Sequence, residues 1–225
     1  MTIASNRVVA CGITGAGKDY SLRRFFASQC PRLVVVDYLG EHEKGITSAP
    51  VYRCGVADLR KTVRAALGKS DRWQVIVECH DEGTDSEKIA RFICPVGPQE
   101  NSWVYQAGGI GLYCSELDLL APQSCDSLVT GMWRRGRHYD LSIYGATQRP
   151  AGVSRIVTAM SDYLVVCKMH EPRDLAYMTN MLPPGAMDRV VALDWHEVVL
   201  VDVRGGRWWL YNSSSAIVAS GGQKD

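Results

Sequence analysis

The residues best suited to chemistry lie near the start of the chain, in the stretch CGITGAGKDY at positions 11–20. Gly12, Gly17 and Lys18 have the spacing of the pattern G-x-x-x-x-G-K-[ST], whose backbone amides surround phosphate groups. The pattern continues with a hydroxyl residue that contacts Mg²⁺, and this chain has Asp19 there instead. We expect a phosphate-binding loop made of Gly12, Ile13, Thr14, Gly15, Ala16, Gly17, Lys18, Asp19 and Tyr20.

The unusual Asp19 has a counterpart later in the chain. The run GIGLYCSEL is typical of a buried strand with a polar end, and it ends in Ser115-Glu116 where Asp-Glu is expected. The loop thus has a carboxylate in place of a hydroxyl, and the strand has a hydroxyl in place of a carboxylate. We interpret the two departures as one exchange that keeps both Asp19 and Ser115 at the metal site. In this interpretation Asp19 faces Mg²⁺ directly or through water, and Ser115 hydrogen-bonds Asp19. The alternative is that both positions have changed without a role in metal binding, in a chain that still binds nucleotide.

Glu116 is the candidate general base. A carboxylate directly after a strand of this kind is placed to orient or deprotonate an attacking water molecule. Asp118 is a weaker rival for this role, and Glu116 could also be an ordinary surface residue.

The elements around these residues alternate between strands and helices. Strand-like runs are RVVAC, RLVVVDYLGEH, WQVIVECHD, GGIGLYCSELDLL, LSIYGATQRP and DYLVVCKM, and helix-like runs are KDYSLRRFFASQ, VADLRKTVRAAL, DSEKIARFICPV, DSLVTGMWRRGRHYD and EPRDLAYMTNML. HEVVLVDVRGGRWWLY predicts a β-hairpin that turns at Gly205-Gly206. This order predicts an α/β fold with a mostly parallel sheet flanked by helices. We expect one domain over residues 1–211 and a flexible or neighbour-docking tail at 212–225.

Composition excludes several classes of protein. A net charge of +1 gives no overall basic field, so any contact with DNA must come from a local patch or from repetition around a ring. Eight scattered cysteines without a C-x-x-C pair favour a reducing compartment. The start of the chain lacks the features of a signal peptide, and no apolar run approaches the ~20 residues of a membrane helix. The five histidines have no zinc-ligand spacing. We therefore expect a cytoplasmic protein without stable membrane insertion.

Three further stretches resemble segments of the FtsK–HerA superfamily of ATPases. VVVDYLGEH (34–42) resembles their second-strand segment, RRGRHYDLSIYGATQRP (134–150) is very similar to their arginine-bearing helix and sensor strand, and LPPGAMDRVVALDWHEVVLVDVRGGR (182–207) resembles their C-terminal segment. Together with the phosphate loop and the Ser-Glu strand, the matches follow the family's order and cover residues 7 to about 207.

The resemblance implies a RecA-like P-loop core that hydrolyses ATP with Mg²⁺ and moves double-stranded DNA, usually as a ring and often as a hexamer. The short branch of this superfamily includes the genome-packaging ATPases of tailless, membrane-containing viruses. This chain has little before its first strand and a short tail, so we expect a viral packaging motor in the host cytoplasm or associated with the virion. Portal or vertex proteins are the expected partners. Assembly ATPases resembling zonula occludens toxin are a neighbouring possibility, but they normally carry a membrane segment.

The resemblance also assigns roles to residues. Gln148 corresponds to the sensor of the γ-phosphate, and Thr147 supports it. Ring motors complete each site with an arginine from the neighbouring subunit. Arg137 and Arg149 match the family's arginine-bearing positions, although a contact with DNA phosphates or a solvated basic face would also explain arginines here. The full set of candidates is Arg134, Arg135, Arg137 and Arg149.

Two other functions stay open. A P-loop nucleoside monophosphate kinase is one, because GKD loops also occur in that group; it would not need the ATQRP segment. The other is a virion or assembly component that binds nucleotide without turnover. The acidic stretch ECHDEGTDSE (78–87) is interpreted as a solvated loop, or as a mobile loop in a ring channel.

Overall fold

The protein is described here from a computed structural model that covers residues 6–93, 109–125 and 127–222. One sheet of ten strands forms its centre. The strands are β1 Arg7–Cys11, β2 Arg32–Asp37, β3 Val51–Gly55, β4 Trp73–Glu78, β5 Ile110–Cys114, β6 Leu141–Thr147, β7 Tyr163–Cys167, β8 Val198–Asp202, β9 Arg207–Tyr211 and β10 Ile217–Gly222. Their order across the sheet is β10-β9-β8-β7-β1-β6-β5-β2-β4-β3.

Eight α-helices within the described ranges connect or cover these strands. They are α1 Lys18–Phe25, α2 Leu59–Leu67, α3 Glu82–Ile93, α4 Leu117–Leu120, α5 Ser127–Arg135, α6 Arg155–Ala159, α7 Pro172–Thr179 and α8 Ala186–Val191. Short 3₁₀ segments lie at Ala27–Gln29, Val56–Asp58, Gly136–Tyr139 and Pro150–Gly152. None of the helices in these ranges combines the length and apolar character that a membrane crossing requires.

The sheet is parallel from β7 to β3, and β8, β9 and β10 extend it as antiparallel strands. The central strands are rich in Val, Ile and Leu and are buried on both faces, as expected for parallel strands that helices cover on both sides. One face packs against α1 through Leu22, and the opposite face packs against the other helices through residues such as Val63, Ile89 and Trp133. The predicted α/β class with its mostly parallel sheet is confirmed.

The hairpin of β8 and β9 is also confirmed, with its turn at Gly205-Gly206. Gly206 has a φ of 59°, a conformation that glycine adopts without strain. The Asp202 carboxylate accepts hydrogen bonds from the amides of Arg204 and Gly205, which fixes the turn.

Several elements differ from the sequence-based expectation. Most of the acidic stretch 78–87 is not a loop, because α3 begins at Glu82 and Asp81 caps it by accepting the Thr84 amide at 3.0 Å. Residues 217–222, expected in the tail, form β10 and pair with β9. The sequence patterns did not predict β3, α6 or α8, since these elements are too short or too polar to show a periodic apolar pattern. The end of the expected helix DSEKIARFICPV, at residues 94–96, lies outside the described residues.

The order of the strands brings the chemically interesting residues together. The carboxyl ends of parallel strands meet at one edge of the sheet, where α/β proteins bind ligands. β6 lies between β1 and β5, so the residues after these three strands are neighbours: the phosphate loop, the 148–149 segment and the Ser115-Glu116 pair.

Candidate nucleotide site

The phosphate loop connects β1 to α1 and is anchored on both sides. The Gly12 amide donates to the Thr147 carbonyl at 3.3 Å, and the Ile13 amide donates to the Lys168 carbonyl at 2.9 Å. A Cβ atom at Gly12 would lie 2.8 Å from Cys167 Cβ, so no larger residue fits there. Gly17 has a φ of 95° and caps α1. The loop therefore presents its backbone and the amino end of α1 at the edge of the sheet, as a phosphate site requires.

Lys18 is the first residue of α1 and is buried. Its ammonium group donates to the Ile13 carbonyl at 3.0 Å, inside the curve of the loop. An ammonium held in this position is a point charge available to the phosphates of a nucleotide.

Asp19 has a hydroxyl partner on β5, and this partner is Tyr113. The Tyr113 hydroxyl donates to Asp19 Oδ1 at 2.6 Å, which is short enough for a charge-assisted bond. Burial, followed by the nearby Asp19 charge, raises the pKa of Tyr113 well above its usual value, so the phenol keeps its proton. The bond occupies one carboxylate oxygen and leaves the other available for a cation.

Ser115 lies in a different contact from the one expected. Its hydroxyl is 2.9 Å from Nε2 of His42, and Arg23 lies 3.4 Å from Nδ1 of the same ring. His42 is held by Asp37 at the end of β2, whose carboxylate accepts the backbone amides of Glu41 and His42. Burial lowers the pKa of His42, which favours the neutral ring. A carboxylate and a hydroxyl thus form a pair beside the loop. The pair is Asp19 with Tyr113, and not Asp19 with Ser115.

Glu116 lies at the start of α4, directly after β5. Burial, and then repulsion from Asp118, Glu41 and Asp19, raises its pKa from 4.5 to about 7, while Lys18 opposes the shift. A carboxylate with a pKa near the working pH can accept a proton in one step and release it in the next. This environment suits the role of general base predicted for Glu116.

Asp118, the rival for that role, is occupied by another contact. Its Oδ1 accepts a hydrogen bond at 3.0 Å from the hydroxyl of Thr147, which is fully buried at the end of β6. The same Thr147 hydroxyl accepts the Arg149 amide at 2.9 Å. These two bonds of Thr147 hold the backbone around Gln148, the predicted sensor.

Gln148 reaches the phosphate loop directly. The Thr14 hydroxyl donates to Gln148 Oε1 at 2.7 Å, and both residues are exposed. They line a cavity of about 310 Å³ together with Arg149, whose guanidinium pairs with Asp174 at 3.5 Å. Gln148 and Arg149 thus lie at the same edge of the sheet as Lys18 and Glu116.

The other candidate arginines lie at the opposite end of the sheet. Arg134 and Arg135 end α5, and Arg137 lies in the 3₁₀ segment just before β6. β6 then runs seven residues to Thr147, a distance of roughly 20 Å at 3.3 Å per residue. The length of β6 therefore separates Arg137 from the chain's own phosphate loop.

The residues present fit Mg²⁺ bound together with a nucleotide. Within the described ranges, no group of three His, Cys, Asp or Glu side chains is arranged to hold a metal ion by itself. Mg²⁺ commonly binds through one or two carboxylates plus substrate phosphates and water. Asp19, with one oxygen free of the Tyr113 bond, is suited to be such a ligand. Ser115 would need to leave His42 to contribute.

Sequence patterns missed Tyr113, His42 and Glu41 as members of the site. Alternation along β5 could have indicated Tyr113, because it lies on the same face as Ser115 and a buried tyrosine usually has a hydroxyl partner. His42 and Glu41 belong to the VVVDYLGEH segment used for the family resemblance. The hydrogen bond between His42 and Ser115 and the repulsion between Glu41 and Glu116, however, depend on β2 lying beside β5.

Comparison with models of protein families gave no match, and comparison with curated proteins gave none either. Solved structures share the fold. The genome packaging NTPase B204 from Sulfolobus turreted icosahedral virus 2, in complex with ATP-gammaS, has a TM-score of 0.73 at 18% identity, covering 94% of this chain and 98% of that chain. The DNA-packaging ATPase B204 from Sulfolobus turreted icosahedral virus has a TM-score of 0.71 at 15% identity, covering 93% and 98%. The fold implied by the sequence resemblance is therefore confirmed.

Proposed function

We propose that this chain is an ATP-driven translocase of double-stranded DNA that packages a viral genome and acts as a ring. The observation that carries the proposal is the group of residues at one edge of the sheet: a phosphate loop with Lys18, a half-buried Glu116 with a raised pKa, and Gln148 in contact with the loop. The similarity in fold to packaging ATPases supports the choice of DNA as the partner.

Each residue at this edge has a role in ATP hydrolysis. The loop amides and Lys18 bind the phosphates, and Glu116 orients the attacking water and accepts its proton. Gln148 contacts the γ-phosphate, which would replace its present bond to Thr14. Asp19, oriented by Tyr113, would hold Mg²⁺, and the bound ion supplies positive charge next to the phosphate oxygens.

The arginine that completes the site comes from a neighbouring subunit. Arg137 suits this role because β6, roughly 20 Å long, separates it from its own phosphate loop at the other end of the sheet. Arg149 lies beside its own loop and is already paired with Asp174, so it would act within its own subunit. A head-to-tail ring places the two ends of adjacent sheets together. Double-stranded DNA would pass through the ring, with portal or vertex proteins as partners in the host cytoplasm or in the virion.

The primary experiment measures ATP hydrolysis at several protein concentrations, with and without linear double-stranded DNA. We expect turnover that rises with concentration and with DNA, and that Glu116→Gln abolishes. Nucleotide binding without turnover at any concentration would favour a non-enzymatic virion component. DNA-independent transfer of phosphate to a nucleoside monophosphate would favour a kinase.

Mixing two inactive variants tests whether Arg137 acts in the site of the neighbouring subunit. Glu116→Gln subunits keep Arg137 but lack the base, and Arg137→Ala subunits keep the base but lack the arginine. If Arg137 acts in the neighbouring site, a 1:1 mixture regains up to about a quarter of wild-type activity, because about one interface in four then has both groups. No recovery in subunits shown to mix would place the arginine in its own subunit or outside catalysis.

A further inference from the structure

A tryptophan outside the group of residues described so far lies against the phosphate loop. The turn before β8 contains Trp195 and His196, and both are exposed. A Cβ atom built on Gly15 would lie 3.7 Å from the Trp195 ring, and one built on Gly17 would lie 3.5 Å from Nδ1 of His196. The turn therefore lies directly beside the loop at two of its glycines.

The position of this turn in the sheet indicates which part of a nucleotide it faces. Glu116 and Gln148 follow β5 and β6, so the γ-phosphate lies on that side of β1. The rest of the nucleotide must leave the loop toward the other side, over the ends of β7 and β8. Trp195 lies on that side, next to Lys168 at the end of β7.

The turn is held in place by its own contacts. The Asp194 carboxylate accepts the Trp195 amide at 2.8 Å, and the Glu197 carboxylate accepts the Asp194 amide at 2.9 Å. His196 has a φ of 63°, which only a minority of non-glycine residues adopt. Lys168 pairs with Asp194 at 3.5 Å and lies 5.6 Å from the centre of the Trp195 ring.

These contacts leave much of a large aromatic ring uncovered. Trp195 is 48% exposed although it lies beside Gly15 of the loop and near the Lys168 ammonium group. An exposed, fixed indole is suited to stack on the flat face of a nucleobase.

We propose that Trp195 is the stacking platform for the base of the bound nucleoside triphosphate, with the Asp194–Glu197 turn holding it in position. This inference rests on the proposed function, since it requires a nucleotide in the phosphate loop. Stacking uses the face of the base and not its hydrogen-bonding edge. The site therefore accepts ATP and GTP with similar affinity and binds pyrimidine nucleotides more weakly, because their rings are smaller.

Calorimetry with two probes, a non-hydrolysable ATP analogue and inorganic tripolyphosphate, separates the contribution of the base to binding from that of the phosphates. We expect Trp195→Ala to weaken binding of the analogue roughly 5- to 100-fold, the range for loss of one base–aromatic stack. Binding of tripolyphosphate should change less than twofold, which also shows that the variant is folded. Trp195→Phe should keep most of the affinity for the analogue.

Tryptophan fluorescence provides the matched control. The analogue should quench the fluorescence of the wild type but not that of Trp195→Phe. It should also quench that of Trp209→Phe, in which a half-buried tryptophan on β9 is changed instead. An equal loss of both probes in Trp195→Ala, or no loss of either, would overturn the base platform, while binding of both probes to the wild type would still support the phosphate loop. A wild-type protein that binds neither probe would overturn the proposed function and this inference with it.

Discussion

The raised pKa of Glu116 predicts how ATP hydrolysis depends on pH. With a pKa of about 7, Glu116 is roughly 10% ionised at pH 6 and 90% ionised at pH 8. Because a general base must be ionised to accept a proton, kcat/KM should rise about tenfold between these two pH values. Below pH 6 it should fall about tenfold for each pH unit.

Removing a neighbouring charge should move this rise to lower pH. After burial, the largest cause of the raised pKa is Asp118, followed by Glu41. Asp118→Asn keeps an oxygen that can accept the Thr147 hydroxyl, and Glu41→Gln alters an exposed residue, so both should preserve the fold. We expect the midpoint of the pH profile to fall in both variants, and to fall further in Asp118→Asn.

The assay is steady-state ATP hydrolysis from pH 5 to 9 at constant ionic strength and saturating Mg²⁺. Titration of ATP itself is the same for every variant, so a difference between midpoints belongs to the protein. Glu116→Gln should lose 10²- to 10⁴-fold in rate and show no rise near pH 7. A midpoint that stays at the same pH in active Asp118→Asn and Glu41→Gln would refute the assignment of the titrating base to Glu116.

Three other changes have expected outcomes. Tyr113→Phe removes the 2.6 Å bond to Asp19, so hydrolysis should need a several-fold higher Mg²⁺ concentration; an unchanged Mg²⁺ dependence would contradict the role of this bond. Gly12→Ala places a Cβ 2.8 Å from Cys167 Cβ and should destroy phosphate binding and lower the unfolding temperature, which calorimetry would measure. Glu116→Gln should raise the unfolding temperature at pH 8, because an ionised, half-buried carboxylate is removed. That gain should shrink toward pH 5, where Glu116 in the folded protein is protonated; a gain that is equal at both pH values would contradict the raised pKa.

The sequence predicted the glycine-rich loop between β1 and α1 and the succession of the main strands along the chain. These features are local: a glycine at each position that needs a positive φ, such as Gly17, and long apolar runs such as that of β2. The place of Glu116 beside the loop also followed, because the ends of parallel strands meet at one edge.

Contacts between side chains from distant strands could not be predicted in this way. The sequence suggested that Ser115 is the partner of Asp19, since only the residue types were visible. The choice between Ser115 and Tyr113 depends on how far each side chain reaches from β5 toward α1, and the long tyrosine side chain reaches Asp19. Likewise, the bond between His42 and Ser115, which are 73 residues apart in the sequence, exists because β2 pairs with β5.

β6 has a mechanical consequence that follows from its burial and pairing. All seven of its residues are buried, and it is hydrogen-bonded to β1 on one side and to β5 on the other. A strand held in this way moves as a stiff rod, so a shift of Gln148 at one end is transmitted to Leu141 at the other. The 3₁₀ segment with Arg137 comes directly before that end. In the proposed ring, a displacement of β6 on release of the γ-phosphate would therefore reach the surface that carries Arg137 and that the next subunit uses.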